Sequence, residues 1–75
     1  MTPTALAVLA ERAVKLRAEG QRAGQAAYNA LWEVDAVLAD RIAGTLSDPY
    51  VDDDVLPLFW LAVTEAALEV PEDAL

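Results

Sequence analysis

Leu6, Leu9, Ala13 and Leu16 recur at three- and four-residue intervals near the start of the chain. At about 100° per residue this spacing gathers them on one helical face, with Glu11, Arg12, Lys15 and Glu19 on the opposite side. Thr2 is a capping residue type, and Pro3 suits the first helical position, where an N–H would have no intrahelical partner. Gly20 is the usual residue just past a helix end. The pattern predicts a first helix over about residues 3–19. Glu11–Lys15 and Lys15–Glu19 are i,i+4 pairs worth a few tenths of a kcal/mol each.

The same helical phase continues through Gly20, Gly24, Ala27, Leu31, Val34, Leu38 and Ile42. One unbroken helix from Pro3 to Ala43 would be about 60 Å long at ~1.5 Å per residue, whereas a compact chain of this length has a radius of gyration of about 11 Å. Such a helix could exist only inside an oligomer, with Gly20 and Gly24 as a seam of small residues for close crossing. Two glycines in a helix interior cost about 1 kcal/mol each. The sequence therefore favours a break around Gly20 to Arg22 and a second helix over about residues 22–43, stopped by Gly44. Gln21, Gln25 and Asn29 form a polar row with Trp32 nearby, a composition that suits a partner contact strip. Surface amides more often bond only water or a neighbouring loop.

After Gly44 the stretch TLSDPYVDDD carries turn chemistry in Ser47-Asp48-Pro49, and a third helix is expected over about residues 55–70, ended by Pro71. Asp52, Asp53 and Asp54 stand at its start, where one of them caps and the others are solvated acids at the favourable end of the helix dipole. Pro57 falls inside the first turn, where no hydrogen bond is asked of it. VLPLFWLAV is apolar on every side, as in helices buried all round. Two short alanine-rich helices cannot readily cover it, so Leu56, Phe59, Trp60, Val63 and Ala67 are the expected partner or oligomer interface. The bland alternative is that the loop 45–54 and the tail cover the surplus. The fold class expected is all-α: one small three-helix domain spanning residues 1–75, a helical hairpin plus an apolar third helix.

Composition narrows the chemistry. The chain has 75 residues, no cysteine and no histidine, which removes disulfides, the commonest metal ligand and the usual neutral-pH general base. The aspartate run does not match the calcium-loop pattern, since no glycine or distal glutamate is in register. No phosphate loop and no Ser/His or Cys/His pair can be formed. The expectation is a non-enzyme with no catalytic residue, no metal and no cofactor. The hydrophobic fraction is 56%, but alanine supplies much of it, so a thin helical core is expected.

The net charge of -8 is uneven: Arg12, Lys15, Arg17 and Arg22 outnumber Glu11 and Glu19 up to residue 25, and Arg41 alone faces the later acids. Direct nucleic-acid binding is disfavoured, because the phosphate backbone rewards clustered cations. TALAVLA is shorter than a signal-peptide core and lacks a basic leader, and no run of about 18 apolar residues exists. A cytoplasmic, non-membrane protein is the expectation.

RAGQAAYNAL followed by SDPYVDDDVLPLFW resembles small proteins encoded by phages and prophages of actinobacteria, in which an R-x-G-Q-x-x-x-N segment precedes an acidic Asp-Pro-aromatic stretch and a short apolar helix. The likeness covers about residues 22–63 and rests on Arg22, Gly24, Gln25, Asn29, Asp48, Pro49, Tyr50, Asp52 and Asp53. It departs at EGQRAG, where such proteins often have proline before the arginine. What it implies is a mobile-element origin and an accessory role through protein contacts.

Two functions follow as expectations. The first is a small interaction protein, a homodimer or a binder of a host or phage protein, acting through its third helix. The second is an acidic mimic that blocks a basic nucleic-acid-binding protein, with Asp48, Asp52, Asp53, Asp54, Glu65, Glu69, Glu72 and Asp73 standing in for phosphates.

Overall fold

The computed structural model describes residues 1–69. Its order is α1 (Pro3–Ala18), α2 (Ala23–Val34), α3 (Ala36–Ile42), a 3-10 turn (Asp53–Val55) and α4 (Leu56–Leu68). No strand occurs among the described residues. The radius of gyration is 11.6 Å, that of a folded globule and far below what a single rod from Pro3 to Ala43 would give. Val70 and Pro71, the expected end of the third helix, lie outside the described residues.

Helix α1 starts as its sequence dictates. Thr2 Oγ1 accepts the Ala5 amide at 3.1 Å, and Pro3 occupies the first turn. It stops at a glycine that has left the right-handed region: Gly20 has φ 106°, Gln21 N donates to Leu16 O and Gly20 N to Arg17 O. That reciprocal pair is the Schellman arrangement, which satisfies carbonyls that a helix end otherwise leaves bare. The chain therefore turns at Gly20 to Arg22, and α2 packs back along α1.

The expected helix over 22–43 is corrected: it is two helices, because Asp35 breaks it. Asp35 sits at φ -151°, ψ 85°, outside helical space, and its Oδ1 accepts the Leu38 amide at 3.0 Å. A short carboxylate can bond nearby backbone in place of the helix ladder, so aspartate competes with helix continuation and favours a cap. The bend turns Ala39 and Ile42 into the core. Tyr28 ties the corner, its hydroxyl donating to Ala39 O at 3.3 Å.

The core is thin, as the alanine content implied. Its larger side chains are Leu9, Leu16, Leu31, Ile42, Phe59 and Val63, packed around Ala13, Ala26, Ala27, Ala30 and Ala39. Phe59 is fully enclosed and meets Trp60 edge to face with ring centroids 5.0 Å apart. Burial of one large side chain of this kind stabilises by about 1.5–3 kcal/mol, so few residues carry most of the apolar gain.

Candidate interaction surface

The loop between α3 and α4 is organised by aspartate side chains that each serve backbone amides. Asp48 Oδ2 accepts the Gly44 amide at 2.8 Å, and its Oδ1 accepts the Tyr50 amide at 3.0 Å. Asp52 Oδ1 accepts the Asp54 amide at 2.9 Å and so caps the 3-10 turn that leads into α4. Asp53 reaches away from its own helix. Its Oδ1 accepts the Gly24 amide at 2.8 Å and meets Arg22 Nη1 at 2.9 Å. Arg22 offers no side-chain cap to α2, so Asp53 caps that helix from 29 residues further along the chain. Asp54 is exposed, and its carboxylate makes no hydrogen bond or ion pair among the described residues.

Gly24 explains why the loop can come so close. A Cβ built there would collide with the Pro49 carbonyl oxygen and approach Asp53 Oδ1 to 2.7 Å. Pro49 is fully buried over this contact, Arg22 Nη2 donates to the Tyr50 carbonyl, and the Tyr50 ring meets Tyr28 edge to face at 5.7 Å. Arg22, Gly24, Pro49, Tyr50 and Asp53, all in the RAGQ and DPYVDD segments, thus form one clasp. Two expectations change here. Val55, with no side-chain cap bond, occupies the cap position of α4 itself. Asp53 holds two elements together rather than standing as a solvated acid. The carboxylates of Asp52, Asp53 and Asp54 diverge, and among the described residues no group of three or more metal-donor side chains converges.

The expected interface on α4 also needs correction. Phe59, Val63 and Ala67 follow one another at four-residue spacing and are closed off within the chain's own core, so they offer nothing to a partner. A single protomer hides them because α4 packs along α1, and Phe59 and Val63 join the core cluster of Leu9, Leu16, Leu31 and the α2 alanines. Of the expected set, Leu56 and Trp60 stay partly accessible. The opposite face of α4 carries Leu58, Leu61 and Leu68, exposed at 47%, 56% and 73%. At about 100° per residue they flank Glu65 on one outward stripe.

Leu56 and Trp60 form one wall of an open groove of about 270 Å³ between α1, the start of α2 and the start of α4. Ala10, Ala13, Ala23 and Ala27 give it depth, since each stops at a methyl group, and Val14 and Arg17 complete it on the α1 side. Ala10, Val14 and Arg17 share one flank of α1 by helical spacing. Val14, 70% exposed, was the overlooked signal: it is apolar, yet it falls outside the Leu6–Leu16 face. Arg17 makes no ion pair among the described residues, whereas Arg12 pairs with Glu33 and Glu19, Lys15 with Glu11, and Arg22 with Asp53. Glu19 thus pairs with Arg12 rather than with Lys15.

In the polar row, Asn29 Nδ2 donates to Gln21 Oε1 at 3.0 Å, so two of its amides bond each other and tie the α1–α2 connection to α2. Gln25 is half-buried, and Trp32 is 52% exposed. Burial first, then Asp48 and Asp40, push the Tyr28 phenol above its ordinary 10.0. Among the described residues no helix is long and apolar enough to cross a membrane.

The chain matches no protein family, no curated protein and no solved structure.

Proposed function

We propose that this chain is a non-enzymatic helical interaction protein, an accessory factor of a phage or other mobile element, that works by laying the outward face of α4 against another protein surface. One observation carries the reading: Leu58, Leu61 and Leu68 remain exposed on a single stripe after the core has closed. Covering three half-exposed leucines would contribute roughly 1 kcal/mol each at ~25 cal/mol per Å², enough to bias an encounter toward that face. A second copy of the chain is the simplest occupant, because most soluble assemblies are built from copies of one chain. The site is set for docking in a cytoplasmic setting and has no role in chemistry.

The mimic reading draws less support from the geometry. Asp48 and Asp52 accept amides of their own loop and Asp53 accepts the Gly24 amide of α2 and pairs with Arg22, which leaves fewer free charges to imitate phosphates. Glu72 and Asp73 lie outside the described residues.

Sedimentation of the wild type and of Leu61→Glu tests the proposal. The wild type should run heavier than one protomer, or retain a protein from a host or phage lysate, and the variant should lose that association while keeping its helical circular dichroism. A strict monomer that retains nothing removes the reading.

A further inference from the structure

The outward stripe of α4 and the groove beside α1 are complementary in chemistry. The stripe offers an apolar side chain with a carboxylate one turn later, Leu61 and Glu65 at i,i+4. The groove offers an apolar recess beside Val14 and Trp60, with the Arg17 guanidinium about one turn along α1 and in no ion pair among the described residues. We infer that the occupant of the groove is the α4 stripe of a second copy of this chain, Leu61 entering the recess and Glu65 meeting Arg17, so that copies associate head to tail. This rests on the interaction reading above and adds the surface that α4 meets.

Three features favour this mate over others. A small apolar ligand would remain largely wet in so open a recess, whereas ligand pockets cover about 70–90% of what they bind. An anchoring side chain needs only its own tip enclosed, because the rest of its protomer covers the rim. A direct α4-to-α4 contact would place Glu65 and Glu69 of one copy near acids of the other with no cation between them, since α4 carries no lysine or arginine. The head-to-tail contact gives Glu65 a cation. The net charge of -8 on each copy opposes any pairing, but charges more than about 8 Å apart are largely screened at physiological salt, so the local pair decides orientation.

The stripe and the groove occupy different sides of α4, so each protomer keeps one free surface of each kind after one contact. Such heterologous contacts extend into chains or close into rings. One anchor and one exposed ion pair make a weak contact, of the class below about 1,200 Å².

Mixing of complementary variants tests the inference. Ala10→Trp fills the groove from an exposed position and leaves the stripe intact; Leu61→Glu spoils the stripe and leaves the groove open. Light scattering over roughly 10 µM to 1 mM should show the wild type growing in mass with concentration, each variant alone monomeric, and their mixture restored to a one-to-one pair. Arg17→Glu and Glu65→Arg should each weaken association roughly fivefold, as loss of an exposed ion pair does, and the charge-swapped double variant should recover it. Circular dichroism on each variant confirms folding. If the wild type associates, Leu61→Glu abolishes it and Ala10→Trp does not, α4 pairs with itself: the head-to-tail contact is overturned and the interaction reading stands. A wild type that stays monomeric across the range overturns the inference.

Discussion

The Gly24 backbone amide donates to Asp53 Oδ1 at 2.8 Å, so the second helix is capped by a residue that belongs to the entry of the fourth. An isolated Gly→Ala exchange in a helix gains about 1 kcal/mol from backbone entropy and solvation. At Gly24 the sign should reverse, because the new methyl would meet the Pro49 carbonyl oxygen, part of a rigid backbone. Gly24→Ala is expected to lower stability by roughly 1–3 kcal/mol, the usual range for overpacking. Urea denaturation reads it directly. Asp53→Ala should cost about 1–2 kcal/mol as a lost cap, and the two losses should not add, since each opens the same contact.

Asp35→Ala removes the cap of α3 and restores a good helix former at the corner. Loss of the cap costs about 1 kcal/mol. Straightening the corner would also carry Ala39 and Ile42 out of the core, so the structure predicts a net loss of stability in spite of higher helix propensity. Thermal melting checks it, with about 4–8 °C expected per kcal/mol for a domain of this size.

Phe59 and Leu61 are two residues apart on α4 and should behave oppositely. Phe59→Ala empties the centre of the core and is expected to cost about 3–5 kcal/mol, a large share of what a small domain has. Leu61→Glu, on the exposed face, should change monomer stability by under about 0.5 kcal/mol while abolishing association. Equilibrium unfolding alongside sedimentation separates the two effects.

Tyr28 contributes to the loss of stability at alkaline pH. Its phenol resists ionisation in the fold, from burial first and from Asp48 and Asp40 second, so the unfolded chain loses this proton at lower pH than the folded one. The folded state keeps its full advantage below pH 10.0 and loses it as pH rises through that ordinary value toward the raised one. Unfolding midpoints measured from pH 8 to 11 should fall with pH, and Tyr28→Phe should remove part of that slope.

Much of the helical framework was legible because local rules and packing agree there. Thr2, Pro3 and Gly20 act where capping chemistry puts them, and Leu9, Ala13 and Leu16 are buried as their spacing implies. The break at Asp35 is hidden in the sequence because its neighbours keep helical periodicity on both sides, and only the side-chain bond to Leu38 shows that a cap has won. The apolar run of α4 correctly signals surplus surface but not its direction. Composition alone cannot distinguish Phe59, which faces inward, from Leu61, which faces out, when both neighbours are equally apolar. The clasp was invisible for a different reason: its halves are separated by 29 residues between Gly24 and Asp53, and no periodic pattern spans a loop.

The close seating of Pro49 over Gly24 makes the two segments a single heritable unit. A lineage that enlarges position 24 must also move the loop backbone at position 49, and one that discards the carboxylate at 53 leaves α2 in need of a new cap near residue 22. Descendants of this gene should therefore exchange these positions together or not at all, while Leu46 and Val51, which protrude on either side of Pro49, drift freely.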